Sequence, residues 1–244
     1  MDSKDFKAAE GSRLEEVAKW LQLGKGMYGT STRWTAAELI KLARGKSCLE
    51  LGSADGEMTV ILEKHFDRIV SVDGSQEYVR RAQARVTPKT QVIHAMFEEL
   101  ELAEQFDTVI ISHVLEHVAH PVTILSRAKR WIATSGALLV VVPNADSLHR
   151  KAAVHMGLLQ RCDELNENDQ RLGHRRVYSP LSLRADIEKA GLRVGRTGGI
   201  FLKILSNAQL EATWTDKMLE AYYQIGFEFP NNCAEIWAEC LLPS

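Results

Sequence analysis

The sequence predicts an α/β fold, a parallel sheet with helices on both faces, and three observations carry that expectation. Short apolar runs alternate with segments of helical period between residues 47 and 142. The first run, Cys48-Leu49-Glu50-Leu51, passes directly into Gly52-Ser53-Ala54-Asp55-Gly56, a glycine turn that opens a helix. Asp73 then closes a second apolar run twenty-three residues after Glu50, the length of a strand-helix-strand unit. Strand, turn and helix start together make a site for a polar ligand. An acid at the strand end does not suit a phosphate, so a positively charged nucleoside is the expected occupant.

Taken in order, Ser12 to Leu23 predicts an amphipathic helix with Leu14, Val17, Ala18 and Leu21 on one face, ended by Gly24-Lys25-Gly26. Met27 to Trp34 reads as a loop, and Thr35 with Glu38 as the capping box of a helix reaching Ala43. After the first strand come a helix over Glu57–Phe66, a strand from Arg68 to Asp73, a helix over Gln76–Val86 and a short strand near Gln91–His94. Phe106 to Ser112 is apolar enough for a strand covered on both faces. A helix over Val122–Ala133, a turn at Thr134-Ser135-Gly136 and a strand over Ala137–Val142 follow. Beyond Pro143 the rhythm changes. Helical stretches near Ser147–Leu159 and Cys162–Leu172 predict an insertion over the carboxyl end of the sheet, a helical lid at about 145–176. A helix from Ser179 to Ala190, a strand region over Leu192–Ile204 bent at Gly198-Gly199, a helix at about 207–225 and a last strand over Cys233–Leu242 complete the chain. Residues 1–46 are expected to form an N-terminal helical cap on a ligand-binding domain over 47–244.

The bulk numbers narrow the function classes. The 244 residues are 45% hydrophobic and 25% charged, ordinary for a globular protein, and 30 basic against 32 acidic side chains give a net charge of −2. Without a basic tail or lysine run, a nucleic-acid partner is not expected. No apolar run is long enough to span a bilayer, so no membrane partner is expected. Four cysteines without metal-type spacing fit reduced thiols and a cytoplasmic location.

Together these residues resemble the class I S-adenosylmethionine-dependent methyltransferases over residues 47–142. Glu50 to Gly56 is similar to the family's first motif, with Ala54 in place of its middle glycine. Asp73 matches the acid that takes the ribose hydroxyls, and Met96-Phe97 match positions that sandwich adenine. His113-Val114-Leu115-Glu116-His117-Val118 and Val142-Pro143-Asn144 resemble the small-molecule group that includes ubiquinone-biosynthesis enzymes. The resemblance implies a Rossmann-like, seven-stranded, mostly parallel sheet whose last strand is antiparallel. It also implies S-adenosyl-L-methionine as cofactor and S-adenosyl-L-homocysteine as product. The expected cofactor residues are Tyr28, Glu50, Gly52, Ser53, Asp55, Gly56, Asp73, Gly74, Ser75, Met96, Phe97, Ser112 and His113. Glu50 is expected to favour the positive charge. The turn lacks G-x-G-x-x-G spacing, which argues against a dinucleotide.

The expected reaction is methyl transfer to a small-molecule hydroxyl, as on a natural product, sugar or quinone-like metabolite. N- or C-methylation and a non-catalytic binding module stay open. No Asn-Pro-Pro-Tyr-like tetrapeptide follows strand four, which argues against nucleobase or protein-amide acceptors. A neutral imidazole suits proton removal, so His117 and His113 are the first candidate bases and His149 the next. If the segment after strand four were helical, His113, Glu116 and His117 would share a face and could hold a metal; the turn expected at His113 argues for none. Arg175 and Arg176, with His174 and Tyr178, are candidates to hold the acceptor, with solvated side chains as the alternative. The apolar face of the 207–225 helix leaves homodimer formation open.

Overall fold

A computed structural model describes residues 3–21 and 24–243. Its seven strands are β1 (Ser47–Leu51), β2 (Arg68–Asp73), β3 (Thr90–His94), β4 (Phe106–Ser112), β5 (Ile132–Pro143), β6 (Arg193–Ile200) and β7 (Glu235–Leu241). They form one sheet in the order β3-β2-β1-β4-β5-β7-β6. The first five pair in parallel, and β7 runs antiparallel to both β5 and β6. This is the Rossmann-like architecture expected.

Successive strand residues point to opposite faces, and both faces are apolar. Leu49, Val70, Val109 and Val140 share one core with α5 (Pro121–Ala128) and α8 (Pro180–Lys189). Cys48, Ile69, Ile110 and Leu139 share the other with Leu39 of α2 (Gly26–Leu42) and Tyr223 of α10 (Asp216–Ile225). The remaining helices are α1 (Ser3–Trp20), α3 (Glu57–Leu62), α4 (Gln76–Gln83), α6 (Leu148–His155), α7 (Glu167–Leu172) and α9 (Asn207–Thr213). No helix among the described residues is long and apolar enough to cross a membrane.

The structure departs from the expected elements in several places. α1 begins well before Ser12 and ends at Trp20; positions 22 and 23 of the expected helix lie outside the described residues. The loop expected over 27–34 is the first half of α2, and Thr35 lies inside that helix, not at its cap. Its apolar stripe was obscured because two buried positions are polar. Thr35 donates to Glu235 at 2.7 Å, and Glu38 accepts from Tyr223. The expected turn at 134–136 is absorbed into β5, and the 207–225 helix is broken at Trp214, where Thr215 caps α10. The lid helices are short, and the register shift in β6 falls between Val194 and Thr197, ahead of the glycine pair.

Candidate functional site

A cavity of about 570 Å³ opens at the carboxyl ends of the parallel strands, with Leu14, Val17 and Leu21 of the N-terminal segment lining one side. Three non-glycine residues take positive φ among the described residues, Ala54 at 43°, His113 at 54° and Phe201 at 62°. All three line this cavity, so local strain concentrates where loops leave β1, β4 and β6.

The β1 end is a cradle knitted to the β2 end. Gly52 has φ 93°, and a Cβ there would collide with Val114. Its N–H donates to the Val72 carbonyl at 2.8 Å. Asp73 ties the two loops together, accepting from Ala54 N at 2.9 Å and Ser75 N at 2.8 Å. Burial outweighs those bonds and pushes its carboxyl up to about 6. Ser53 and Ser112 have buried hydroxyls without a partner, and both line the cavity. Gly74 faces Met96, whose Sδ would stand 3.1 Å from a Cβ at Gly74. Tyr28, Met96 and Phe97 also line the space.

Four expected cofactor residues stand behind this wall. Glu50 Oε2 accepts from Thr59 and Ser71 hydroxyls at 2.6 Å each, and burial pushes the carboxyl up to about 7. Its charge is turned into the strand-helix interface, away from the cavity, which corrects its expected role toward the cation. Asp55 lies 3.8 Å from Arg85. Gly56 caps α3, and Ser75 caps α4 by accepting from Tyr78 N. These three shape the turns and do not line the cavity.

The segment after β4 is a tight turn. His113 donates its backbone N–H to Val141 and sits between two acids, Nδ1 3.2 Å from Glu116 Oε1 and Nε2 3.3 Å from Glu235 Oε2. Burial alone would lower its pKa, but Glu235 and Glu116 outweigh that and push it up to about 10. A protonated ring has no free lone pair, so the structure removes His113 from the candidate bases. His117 differs. Burial lowers its pKa to about 4, leaving it neutral, and its ring meets His174 edge-on at 4.7 Å between centroids. His149 is neutral too, lowered to about 3 by burial and then by Lys203 and Arg150. All three histidines line the cavity.

Of the expected acceptor residues, His174 lines the cavity, with Nδ1 3.2 Å from Asp169. The others do not; Arg175 is exposed and Arg176 half-buried, yet both guanidinium groups are engaged within the fold. Arg175 donates to the His117 carbonyl at 2.9 Å and pairs with Glu10 at 2.6 Å. Arg176 donates to the carbonyls of Leu115, Val118 and Ala119. Both brace the turn after β4, whose carbonyls have no helical N–H groups to accept from. Tyr178 is buried, its hydroxyl donating to Asp186. A metal-capable group does occur, but with His174 in the place of His113: Glu116, His117 and His174 present ligand atoms within 4.8 Å of one another.

Glu235 and Lys203 are among the lining residues that the sequence reading did not single out. Glu235, at the start of β7, accepts from Thr35 and Ser31 as well as facing His113. Lys203 follows β6, and burial lowers its ammonium to about 8. Each is a lone charge in an apolar run, Cys233-Ala-Glu-Ile-Trp and Phe201-Leu-Lys-Ile-Leu, and that was the available signal.

A family model described as a methyltransferase domain matches residues 28–197. Over 139 residues the chain is 24% identical to a ubiquinone biosynthesis O-methyltransferase of Coxiella burnetii, covering 51% of this chain and 59% of that protein. The chain spans about half the length of the curated relatives it matches, 42% of one and 59% of others. Among solved structures, one similar chain is from the complex pairing the Haloferax volcanii Trm112 methyltransferase activator with a proposed methyltransferase. It has TM-score 0.62 and 19% identity, over 100% of this chain and 99% of that one. Another is the magnesium protoporphyrin IX methyltransferase of Synechocystis with bound S-adenosylhomocysteine. It has TM-score 0.61 and 13% identity, over 99% and 100% of the two chains.

Proposed function

The chain belongs to the methyltransferase-domain family, and we propose that it transfers the methyl group of S-adenosylmethionine to a hydroxyl of a small-molecule acceptor. The enzyme class and the cofactor are those of its relatives and structural neighbours. The residues present fit that cofactor. Asp73 is a buried carboxylate at the end of β2 with lone pairs to spare for a ribose. Gly52 and Gly74 let Val114, Leu14 and Met96 approach the backbone more closely than any side chain there would allow, and the cavity-lining Ser53 and Ser112 hydroxyls have no partner within the described residues. Bound there, S-adenosylmethionine supplies an electrophilic methyl on a sulfonium.

One observation carries the choice of a hydroxyl acceptor. His117 is a neutral imidazole facing the cavity beside the β4 turn. A hydroxyl oxygen that gains a methyl becomes strongly acidic, so even a weakly basic imidazole takes its proton. An amine that reaches the methyl in its neutral form keeps a stable charge after methylation and needs no such group in the transfer step. Held at near-attack distance, the acceptor needs little more than this orientation. His174, backed by Asp169, meets the His117 ring and fixes its plane. In this reading α1 and α2 act as the cap, residues 145–176 as the lid, and the acceptor enters between them.

The test is S-adenosylhomocysteine formation against a panel of phenols, alcohols and amines with wild-type and His117→Ala protein. Phenols or alcohols are expected as acceptors, with turnover in the variant lower by about 10²-fold or more and cofactor affinity unchanged. Unchanged turnover in the variant, or amines alone as acceptors, refutes the reading. If none in the panel reacts, a cofactor-holding module is favoured instead.

A further inference from the structure

Lys203 takes no part in the chemistry above, yet it faces the same space. Its backbone is fixed on both sides: Leu202 N–H donates to the Tyr222 carbonyl, and His149 N–H donates to the Lys203 carbonyl, both at 3.1 Å. Phe201, at φ 62°, turns the chain so that this lysine follows directly from β6. The side chain is therefore delivered by rigid structure and is not a solvated surface lysine.

The ammonium is short of a partner. Among the described residues it has no hydrogen bond and no carboxylate within 4 Å. The acids nearest in effect are already engaged. Glu235 faces His113 and accepts from Ser31 and Thr35, while Asp169 accepts from Arg150 and from the Asn166 N–H. Arg150 adds further positive charge nearby. A half-buried cation that lines a cavity and has no carboxylate within ion-pair distance is placed to draw an anionic ligand into that cavity. Beside it, His149 Nδ1 is buried and without a partner, a second nitrogen available to the same ligand.

We propose that Lys203, assisted by His149, binds a carboxylate of the methyl acceptor. This rests on the cavity being the acceptor site. The cofactor also has a carboxylate, and strand order decides between the two sources. β6 lies four strand positions from β1 in the sheet, about 19 Å at the usual strand spacing. A lysine side chain reaches about 6 Å, so Lys203 addresses the end of the cavity remote from the Gly52 cradle.

The test uses the full chain saturated with S-adenosylhomocysteine and is read by calorimetry with benzoate and benzamide, a pair matched in shape and different in charge. Wild type is expected to prefer benzoate by about tenfold. Lys203→Met abolishes the preference, and Lys203→Arg retains most of it. Lys203→Met also melts no lower than wild type, because an unpaired, half-buried charge has been removed. No preference in wild type, a preference that survives in Lys203→Met, or no benzoate binding at about 10 mM overturns the proposal. So does a fall in melting temperature, which would mean that the lysine is paired within the fold. If Lys203→Met weakens S-adenosylhomocysteine about tenfold, the carboxylate is the cofactor's, and the acceptor assignment falls. None of these readouts needs turnover, so an inactive acceptor panel would count against the methyl-transfer reading alone.

Discussion

Replacing Glu235 with Gln should lower the pH at which His113 loses its proton. His113 Nε2 stands 3.3 Å from Glu235 Oε2, where two unit charges attract by about 5 kcal/mol at an effective dielectric of 20. The His113 side chain is 39% exposed, and water in the cavity screens the pair to about 2 kcal/mol, or about 1.5 pKa units. The direction of the pH dependence follows from the raised pKa. A histidine raised above its unfolded value stabilises the fold fully below about 6.5, and that contribution is lost as pH rises through the folded value near 10. Glu235, held below its ordinary value, contributes above the unfolded carboxylate range and loses that contribution in acid. Near pH 7 both are intact, so Glu235→Gln should lower the melting temperature there by about 4–8 °C. The deficit should shrink above pH 10, where wild-type His113 has lost its own proton. Proton NMR of the His113 ring gives the direct reading: no titration between pH 6 and 9 in wild type, and a midpoint lower by about 1.5 units in the variant. Equal midpoints, or a melting deficit independent of pH, would refute the pairing.

If Asp73 holds the cofactor's ribose as proposed, cofactor binding should be sensitive to acid. With its carboxyl pushed up to about 6, it loses its charge just below neutral pH, and S-adenosylhomocysteine affinity measured by calorimetry should fall by about tenfold from pH 7.5 to pH 5. Asp73→Asn should bind weakly at both pH values, and a pH dependence unchanged in that variant would place the titrating group elsewhere. Arg176 should prove structural. Its guanidinium satisfies three backbone carbonyls of the β4 turn, at 2.5–3.2 Å, so Arg176→Ala should destabilise by about 3 kcal/mol and lower the melting temperature by about 6–12 °C. A change under about 0.5 kcal/mol in denaturant unfolding would mean that the side chain is a solvated one after all.

The sheet was legible because its signals are local. Each parallel strand is a short apolar run ending at a turn, and Gly52, Asp73 and the Ser112-His113 junction mark strand ends that need no distant partner to recognise. α2 was misread for the opposite reason. Its buried Thr35 and Glu38 look like surface residues until Glu235 and Tyr223, some two hundred positions later, are seen to satisfy them. The same holds at the site. The arginine pair resembles an anion clamp in sequence, and only the unwound turn after β4, with its unsatisfied carbonyls, shows what it holds. Protonation states were beyond reach altogether. His113 and His117 are four residues apart and chemically identical, yet one faces two acids and the other is buried against a third imidazole.

That difference gives the cavity a direction. Glu116, protonated His113 and Glu235 sum to one negative charge at the end of β4, and Asp73 adds another at the end of β2. This half suits a cationic methyl donor. Further along the wall Arg150 is neutralised by Asp169, while Lys203 has no carboxylate within 4 Å among the described residues. If the acceptor carries the carboxylate proposed above, this arrangement would sort a cationic donor from an anionic acceptor, since a swapped arrangement would place like charges together in a low-dielectric space. His117 also lines the cavity, and in the proposed reading its neutrality adds no charge to the junction of donor and acceptor. A substitution that charges it, or one that discharges Lys203, should therefore loosen discrimination between acceptors before it affects the binding of the donor.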